Sequence, residues 1–335
     1  MFTLGFRKSF RLTGLLFLLS AVSVVQADEA DDVASAVVAH IREHLPAAAQ
    51  PLTPADENRV ASFSRYIQKR FYYPASSPDL QSAAFAAIDS TAADPAVDAS
   101  ALAQAAINGM VDALGHGTRF LTTLGSGGAA AEGGAATEPS NHQVGSLLVV
   151  TFPTMNVTDS NTAHTCTDFV RYFAAKTEGG ISGVVLDLRG NEGGPLTDSA
   201  CLAGLFIKRA ALLFQTVSKQ GELVKYESKP TTHIDLPAAV LIDNRTDNGG
   251  LLVAAVLQDQ KRATIIGEQK SNVNGAVSSL VFPPGVNRAL VLPTGEILLP
   301  NKHPLAAGVR VDVNMPANDD DALLGAARIA LAQHR

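Results

Sequence analysis

Hydrophobic and polar positions divide the chain near residue 124. Before that point apolar residues recur at helical spacing. They mark Glu57 to Arg70, Leu80 to Ser90, and a third helix capped by Asp98 or Ser100 that runs to Leu114. In the third, Leu102, Ala106, Met110 and Ala113 form one stripe, and Gly115, Gly117 and Thr118 end it. Residues 28–50 are Ala-rich, acidic first and then amphipathic. After residue 144 the pattern changes to short continuous apolar runs separated by helical stretches. Ser146–Phe152, Gly183–Leu188 (GVVLDL), Ala238–Ile242 and Ala263–Gly267 read as buried strands. Cys166–Lys176, Thr197–Lys208 and Leu251–Gln258 read as helices between them. Such alternation predicts a mostly parallel sheet covered by helices. Ser279–Phe282, Ala289–Pro293 and Glu296–Leu299 predict hairpin-like strands, and the acids of Asn318–Asp321 suit the start of a final helix. The stretch GSGGAAAEGGAATE, Gly125 to Glu138, has linker composition. The expected organisation is a helical domain over 28–123, a Gly/Ala-rich linker over 124–143 and an α/β core over 144–335.

The first 27 residues stand apart. Arg7, Lys8 and Arg11 precede a mostly apolar run from Leu12 to Val25, which closes on Val25-Gln26-Ala27. This predicts a secretory signal peptide over 1–27, cut after Ala27. The apolar run is short of the ~20 residues that span a bilayer. The expected location is the bacterial periplasm or outside the cell, with no membrane association after cleavage. There Cys166 and Cys201, the two cysteines of the chain, could be oxidised or remain two buried thiols.

Composition narrows the chemistry. The 335 residues are 46% hydrophobic and 17% charged, with a net charge of −6, so a sizeable core is available. No Lys/Arg cluster follows the leader, which argues against nucleic acid as a partner. His40 and His44 share one helical face at metal-ligand spacing, but no third ligand is expected nearby, and no metal or cofactor is expected. No G-x-S-x-G elbow is present. Asp243, Asp247 and Asn248 lack the Gly and late Glu of a calcium loop. Asp187 and Arg189 read as a charged pair at a strand end.

Two segments carry a family resemblance: GVVLDLRGNEGGPLTDSACLAGLFI, Gly183 to Ile207, and PAAVLIDNRTDNGGLLVAAVLQDQKRATIIGE, Pro237 to Glu268. Together they resemble the tail-specific, or carboxy-terminal processing, serine peptidases. SFSRYIQKRFYYP and INGMVDALGHGTRFLT resemble that family's N-terminal helices, and GEILLPNKHPLAAGVRVDVNMP its closing strands. The likeness runs from about Asp56 to the C-terminus. It implies an α/β, crotonase/ClpP-like spiral of ββα units preceded by a small helical domain. It also implies peptide or protein tails as partners.

Two departures qualify it. The family places a peptide-binding PDZ domain between its helices and its catalytic core. The stretch Leu124 to Val144 cannot hold a domain of roughly 100 residues. Moreover, the family's nucleophilic serine opens the helix after the second buried strand, and that position here is Asn248. Its lysine base maps to Asn274, or to Val273 if no residue is inserted. Its supporting glutamine maps to Ser278 or Val277. Lys270 lies three or four residues early, ~10 Å along an extended strand. A serine–lysine pair works because a neutral lysine takes the serine proton, and two amides cannot do this. What remains is an oxyanion-hole-like frame, the amides of Gly193 and Gly249. Three functions follow: a non-catalytic relative that binds peptide or protein, a serine-type endopeptidase with displaced residues, and a carrier of an apolar ligand.

Overall fold

The computed structural model describes residues 13–121, 139–155, 169–171, 173–174, 180–208, 210–229, 233–270, 273 and 275–333, with side chains from residue 29 onward. The chain forms two compact units. One comprises Met1–Phe120 with Val281–Leu292, the other Leu121–Leu280 with Pro293–Arg335.

Four helices make most of the first unit: α1 (Thr13–His44), α2 (Pro54–Arg70), α3 (Ser77–Ala92) and α4 (Ala99–Leu114). Their starts follow from capping. Thr53 and Asp56 form a reciprocal capping box on α2, Ser76 accepts from the Asp79 N–H, and Asp98 from the Ala101 N–H at 2.7 Å. Val37 and Ile41 of α1, Phe63 and Ile67 of α2, Ile88 of α3 and Met110 of α4 meet in one core. Each such side chain contributes about 1.5–3 kcal/mol by leaving water. A later part of the chain completes this core. Val286, Leu290 and Leu292 pack into it, and β1 (Arg119–Phe120) pairs with Val291 and Leu290. The helical unit is therefore not contiguous in sequence. The expected lack of a third ligand beside His40 and His44 also requires correction. Asp89 of α3 lies 2.6 Å from His40 Nε2, and Glu43 projects into the same cluster. Asp89 is 45 residues beyond His44 in sequence and arrives only through helix packing.

The second unit is built on a six-stranded sheet in the order β11-β8-β7-β4-β3-β2. Its strands are β2 (Ser140–Val144), β3 (Leu147–Thr151), β4 (Gly183–Asp187), β7 (Ala238–Ile242), β8 (Ala263–Gly267) and β11 (Val313–Asn314). All neighbours are parallel except β2 and β3. Both faces are buried, which explains the continuous apolar runs. Leu148, Val184, Leu186 and Val240 pack with α5 (Leu196–Gly204) and α6 (Asn248–Asp259). Val149, Val185 and Leu241 pack with α7 (Asp320–Gln333) on the other face.

Three elements differ from expectation. Residues 140–143, assigned above to the linker, form the edge strand β2 together with Val144. Its S-N-H-Q-V sequence is largely solvent-facing, and backbone pairing with β3 holds it. β5 (Leu212–Ser218) and β6 (Leu223–Glu227) form a hairpin that apolar periodicity does not mark. The two predicted tail strands, Ala289–Pro293 and Glu296–Leu299, are one strand, β10 (Leu290–Leu298), whose second half pairs with β5. β9 (Ala276–Val281) precedes it. Cys201 is disulfide-bonded, and the one other cysteine of the chain, Cys166, lies outside the described residues.

Candidate functional site

The central strands β4 and β7 are fully buried neighbours, so the loops leaving their C-terminal ends emerge side by side. Asp243 joins them. Its Oδ1 accepts from the N–H groups of Gly190 (2.8 Å), Thr246 (2.9 Å) and Arg245 (3.1 Å). Burial alone would raise the Asp243 pKa. The N–H of Gly190, the hydroxyl and N–H of Thr246 and the N–H of Arg245 outweigh it and hold the carboxyl below its ordinary value. The Thr246 hydroxyl is itself fully buried. It accepts from the Asp243 N–H at 3.0 Å and lies 2.8 Å from the Leu188 carbonyl, to which it can donate. Arg189 clamps Asp187 through Nε (2.8 Å) and Nη2 (2.6 Å) and reaches Asp320 at the start of α7, the expected charged pair at a strand end.

The turn Gly190–Gly194 is organised by Asn191, which is fully buried. Its Nδ2 donates to the Phe152 carbonyl at 2.7 Å, its Oδ1 accepts from the Gly193 N–H at 2.9 Å, and its own carbonyl accepts from Asp247 N at 2.8 Å. The Gly193 carbonyl accepts from Met155 N (2.9 Å) and Thr154 Oγ1 (3.1 Å). Gly193 has φ +106°, and a Cβ there would lie 2.4 Å from Asn248 Cβ and 2.6 Å from Gly249 N. Backbone conformation and space both demand glycine. The same contacts bring the two expected hole residues, Gly193 and Gly249, against each other.

Asn248 opens α6 behind the cap residue Asp247, whose carboxylate accepts from the Asn248 N–H at 2.9 Å. Its φ is +43°, a left-handed conformation that Asn tolerates better than most L-residues. The Asn248 Nδ2 donates to the Glu192 carbonyl at 2.9 Å, so the side chain lies along the GNEGG turn. Gly249 carries no Cβ because one would sit 2.6 Å from the buried Ser199 hydroxyl, which donates to the Gly249 carbonyl at 3.1 Å.

Lys270 corrects a second expectation. It is not carried away along an extended strand. It follows β8, and its Nζ lies 3.2 Å from Asp247 Oδ2 and 3.3 Å from the Asn244 carbonyl. An ammonium therefore stands behind the cap of Asn248. The reason is tertiary: β7 and β8 are paired, so the loops beyond both end at one edge of the sheet. Other expected positions are less central. Ser278 is solvent-exposed on β9, whereas Val277 and Val273 pack against the core. Asn274 lies outside the described residues, and so does Ser271, the hydroxyl residue next to Lys270 in sequence.

Residues 146–315 match the family profile described as Peptidase family S41. The chain belongs to peptidase family S41. The carboxyl-terminal-processing protease of Synechocystis sp. is 34% identical over 103 residues, which cover 31% of this chain and 24% of that protein. The carboxy-terminal-processing protease of Bartonella bacilliformis is 34% identical over 122 residues, or 36% and 28% of the two chains. The S41 chain thus spans about a quarter of the length of the curated relatives it matches. A lipoprotein from Streptococcus agalactiae has the same fold, with a TM-score of 0.62 at 13% identity over 85% of this chain and 99% of that one. A putative S41 protease from Bacteroides fragilis matches with a TM-score of 0.50 at 17% identity over 59% and 58%. The α/β core with a helical N-terminal region is the fold of this family.

The S41 site offers hydrogen-bond donors rather than a reactive pair. The Gly193 N–H, expected as one hole donor, is engaged by Asn191. The N–H groups of Gly194 and Gly249 make no hydrogen bond to another described residue, and a Cβ on Gly249 would lie 3.2 Å from Gly194 N. Two backbone donors beside a helix N-terminus can receive a carbonyl or carboxylate oxygen. Among the described residues, no hydrogen bond joins a hydroxyl to Lys270. The signal for the engagement of the Gly193 amide by Asn191 is local, an Asn two residues before a Gly in a turn. What the fold adds is the distant partner, the Phe152 carbonyl that accepts from Asn191 Nδ2.

Proposed function

We propose that this chain is a secreted or periplasmic S41 pseudo-peptidase that holds peptide or protein tails without cleaving them. The observation that carries the reading is Asn248. A neutral amide stands where an attacking hydroxyl belongs, and its nitrogen is already donated to the Glu192 carbonyl. An amide is neither nucleophile nor base near neutral pH. The donors of Gly194 and Gly249 would then serve as a resting place for a carbonyl or a terminal carboxylate. Export is supported by the basic, apolar, small-residue order of residues 1–27.

A competing reading, peptidase activity through displaced residues, is favoured by one observation: Lys270 beside the cap of Asn248. The pairing weighs against it, because Lys270 Nζ is held by the Asp247 carboxylate and the Asn244 carbonyl rather than by a hydroxyl it could activate. For an apolar carrier, one cavity among the described residues, lined by Thr197, Cys201, Gly204 and Tyr226, holds about 210 Å³, below the ~300–1,000 Å³ of small-molecule pockets.

The test pairs a fluorophosphonate probe and a casein digest with an Asn248→Ser, Asn274→Lys double variant. The unmodified chain should neither label nor cleave. A fluorescent unstructured peptide with a free C-terminal carboxylate should bind it, and more tightly than the amidated peptide does. Labelling at Thr246 or Ser271, or cleavage abolished by Lys270→Met, would establish the displaced enzyme instead.

A further inference from the structure

The first unit carries a constellation unrelated to the S41 cleft. His40 and His44 are one helical turn apart on α1, with Glu43 on the same face. One ligand atom from each of these three residues lies within 4.8 Å of the others. Asp89, on α3, brings a carboxylate to the two imidazoles. Its Oδ1 is 2.6 Å from His40 Nε2 and 3.6 Å from His44 Nε2. The His40 ring is held by stacking on Phe85, with centroids 4.0 Å apart. The two imidazoles lie 4.0 Å apart between centroids.

One hydrogen bond fixes how the His44 ring is presented. His44 Nδ1 is 3.0 Å from the His40 carbonyl. A carbonyl only accepts, so Nδ1 carries the hydrogen. The other ring nitrogen, Nε2, then lies 3.6 Å from the Asp89 carboxylate. A backbone carbonyl that orients one imidazole nitrogen while the other points at a carboxylate is also how metal-bound histidines are held.

We propose that His40, His44 and Asp89, with Glu43 as a fourth ligand, form a site for a divalent transition-metal ion of the zinc class. Two imidazoles and one or two carboxylates suit Zn²⁺, Co²⁺ or Ni²⁺ rather than Ca²⁺ or Mg²⁺. Zn–N and Zn–O bonds of about 2.0–2.2 Å place tetrahedral ligands ~3.3 Å apart. The 3.6 Å pair already fits. The 2.6 Å pair opens when Asp89, whose side chain is 54% exposed, turns by less than about 1 Å. The ion would tie α1 to α3 and stabilise the helical unit, with no part in the cleft. This reading stands apart from the proposed peptide-holding role, and failure of either test leaves the other standing.

The experiment uses the full, tag-free chain after chelator treatment, titrated with Co²⁺ and then Zn²⁺. One equivalent of Co²⁺ should produce the intense visible d–d bands of a tetrahedral site, and Zn²⁺ should displace it with a Kd on the order of micromolar or tighter. Zn²⁺ at a hundredfold excess over Kd should raise the melting temperature by about 10 °C. His44→Gln and Asp89→Asn, both on partly exposed side chains, should each weaken binding at least tenfold with an unchanged far-UV spectrum. Absence of a saturable equivalent, or native affinity in both variants, overturns the site.

Discussion

Asn191 is the residue on which the cleft depends most directly. Asn191→Ala removes two hydrogen bonds at a fully buried position, leaving the Phe152 carbonyl without its 2.7 Å donor and the Gly193 N–H without its 2.9 Å acceptor. A buried polar group left unmatched costs about 1–3 kcal/mol, so the two together should destabilise the α/β unit by ~2–5 kcal/mol. For a unit of about 200 residues this lowers the melting temperature by ~5–15 °C. The chain has no tryptophan, so unfolding is followed by far-UV circular dichroism. Hydrogen exchange read by mass spectrometry reports the local effect. Protection should fall first in the peptides covering residues 188–195 and 243–251. The helical unit should keep wild-type exchange, because Asn191 belongs wholly to the other compact unit. A loss below about 1 kcal/mol, or a loss without faster exchange in those peptides, would show that water or another group replaces Asn191 and that the turn is not held as described.

Other expectations concern the same frame. Asn248 sits at φ +43°, so Asn248→Gly should be neutral within about 0.5 kcal/mol. Asn248→Val should cost ~1–2 kcal/mol or more in thermal denaturation, because a β-branched residue resists the left-handed region. Asp243 has its pKa lowered in the folded state. Its stabilisation is therefore present above the ordinary carboxylate value, near 3.8, and is lost as pH falls through the lower folded value. Asp243→Asn should be less stable than wild type at pH 7 and should lose less on acidification below about pH 4, as measured by urea midpoints across pH. The double variant Asn248→Ser, Asn274→Lys should become the labelled species in a fluorophosphonate experiment only if the Gly194 and Gly249 donors are correctly placed for an oxyanion.

Much of the α/β core is legible in the amino-acid sequence. Val184, Leu186, Val240 and Ile265 lie in unbroken apolar runs, and a strand buried on both faces leaves such a run. The caps Thr53, Ser76 and Asp98 mark their helices because the side-chain partner lies three residues away. The position of Asn248 is equally plain, since motif spacing along one chain sets it. Other features depend on residues that meet only in the fold. β2 has no apolar alternation and exists because β3 offers an edge. The helical core takes Val286 and Leu290 from a segment about 170 residues beyond α4. Lys270 reaches Asp247 because β7 and β8 are paired, and Asp89 reaches His40 because α3 packs on α1. Local hydrogen bonding and periodicity are written within a few residues and can be read there. Contacts between distant segments depend on strand order and helix packing, so tertiary structure decided that Lys270 and the Glu192 carbonyl stand at Asn248 and Asp89 at the two histidines, whereas Asp247 and Glu43 are their neighbours in sequence.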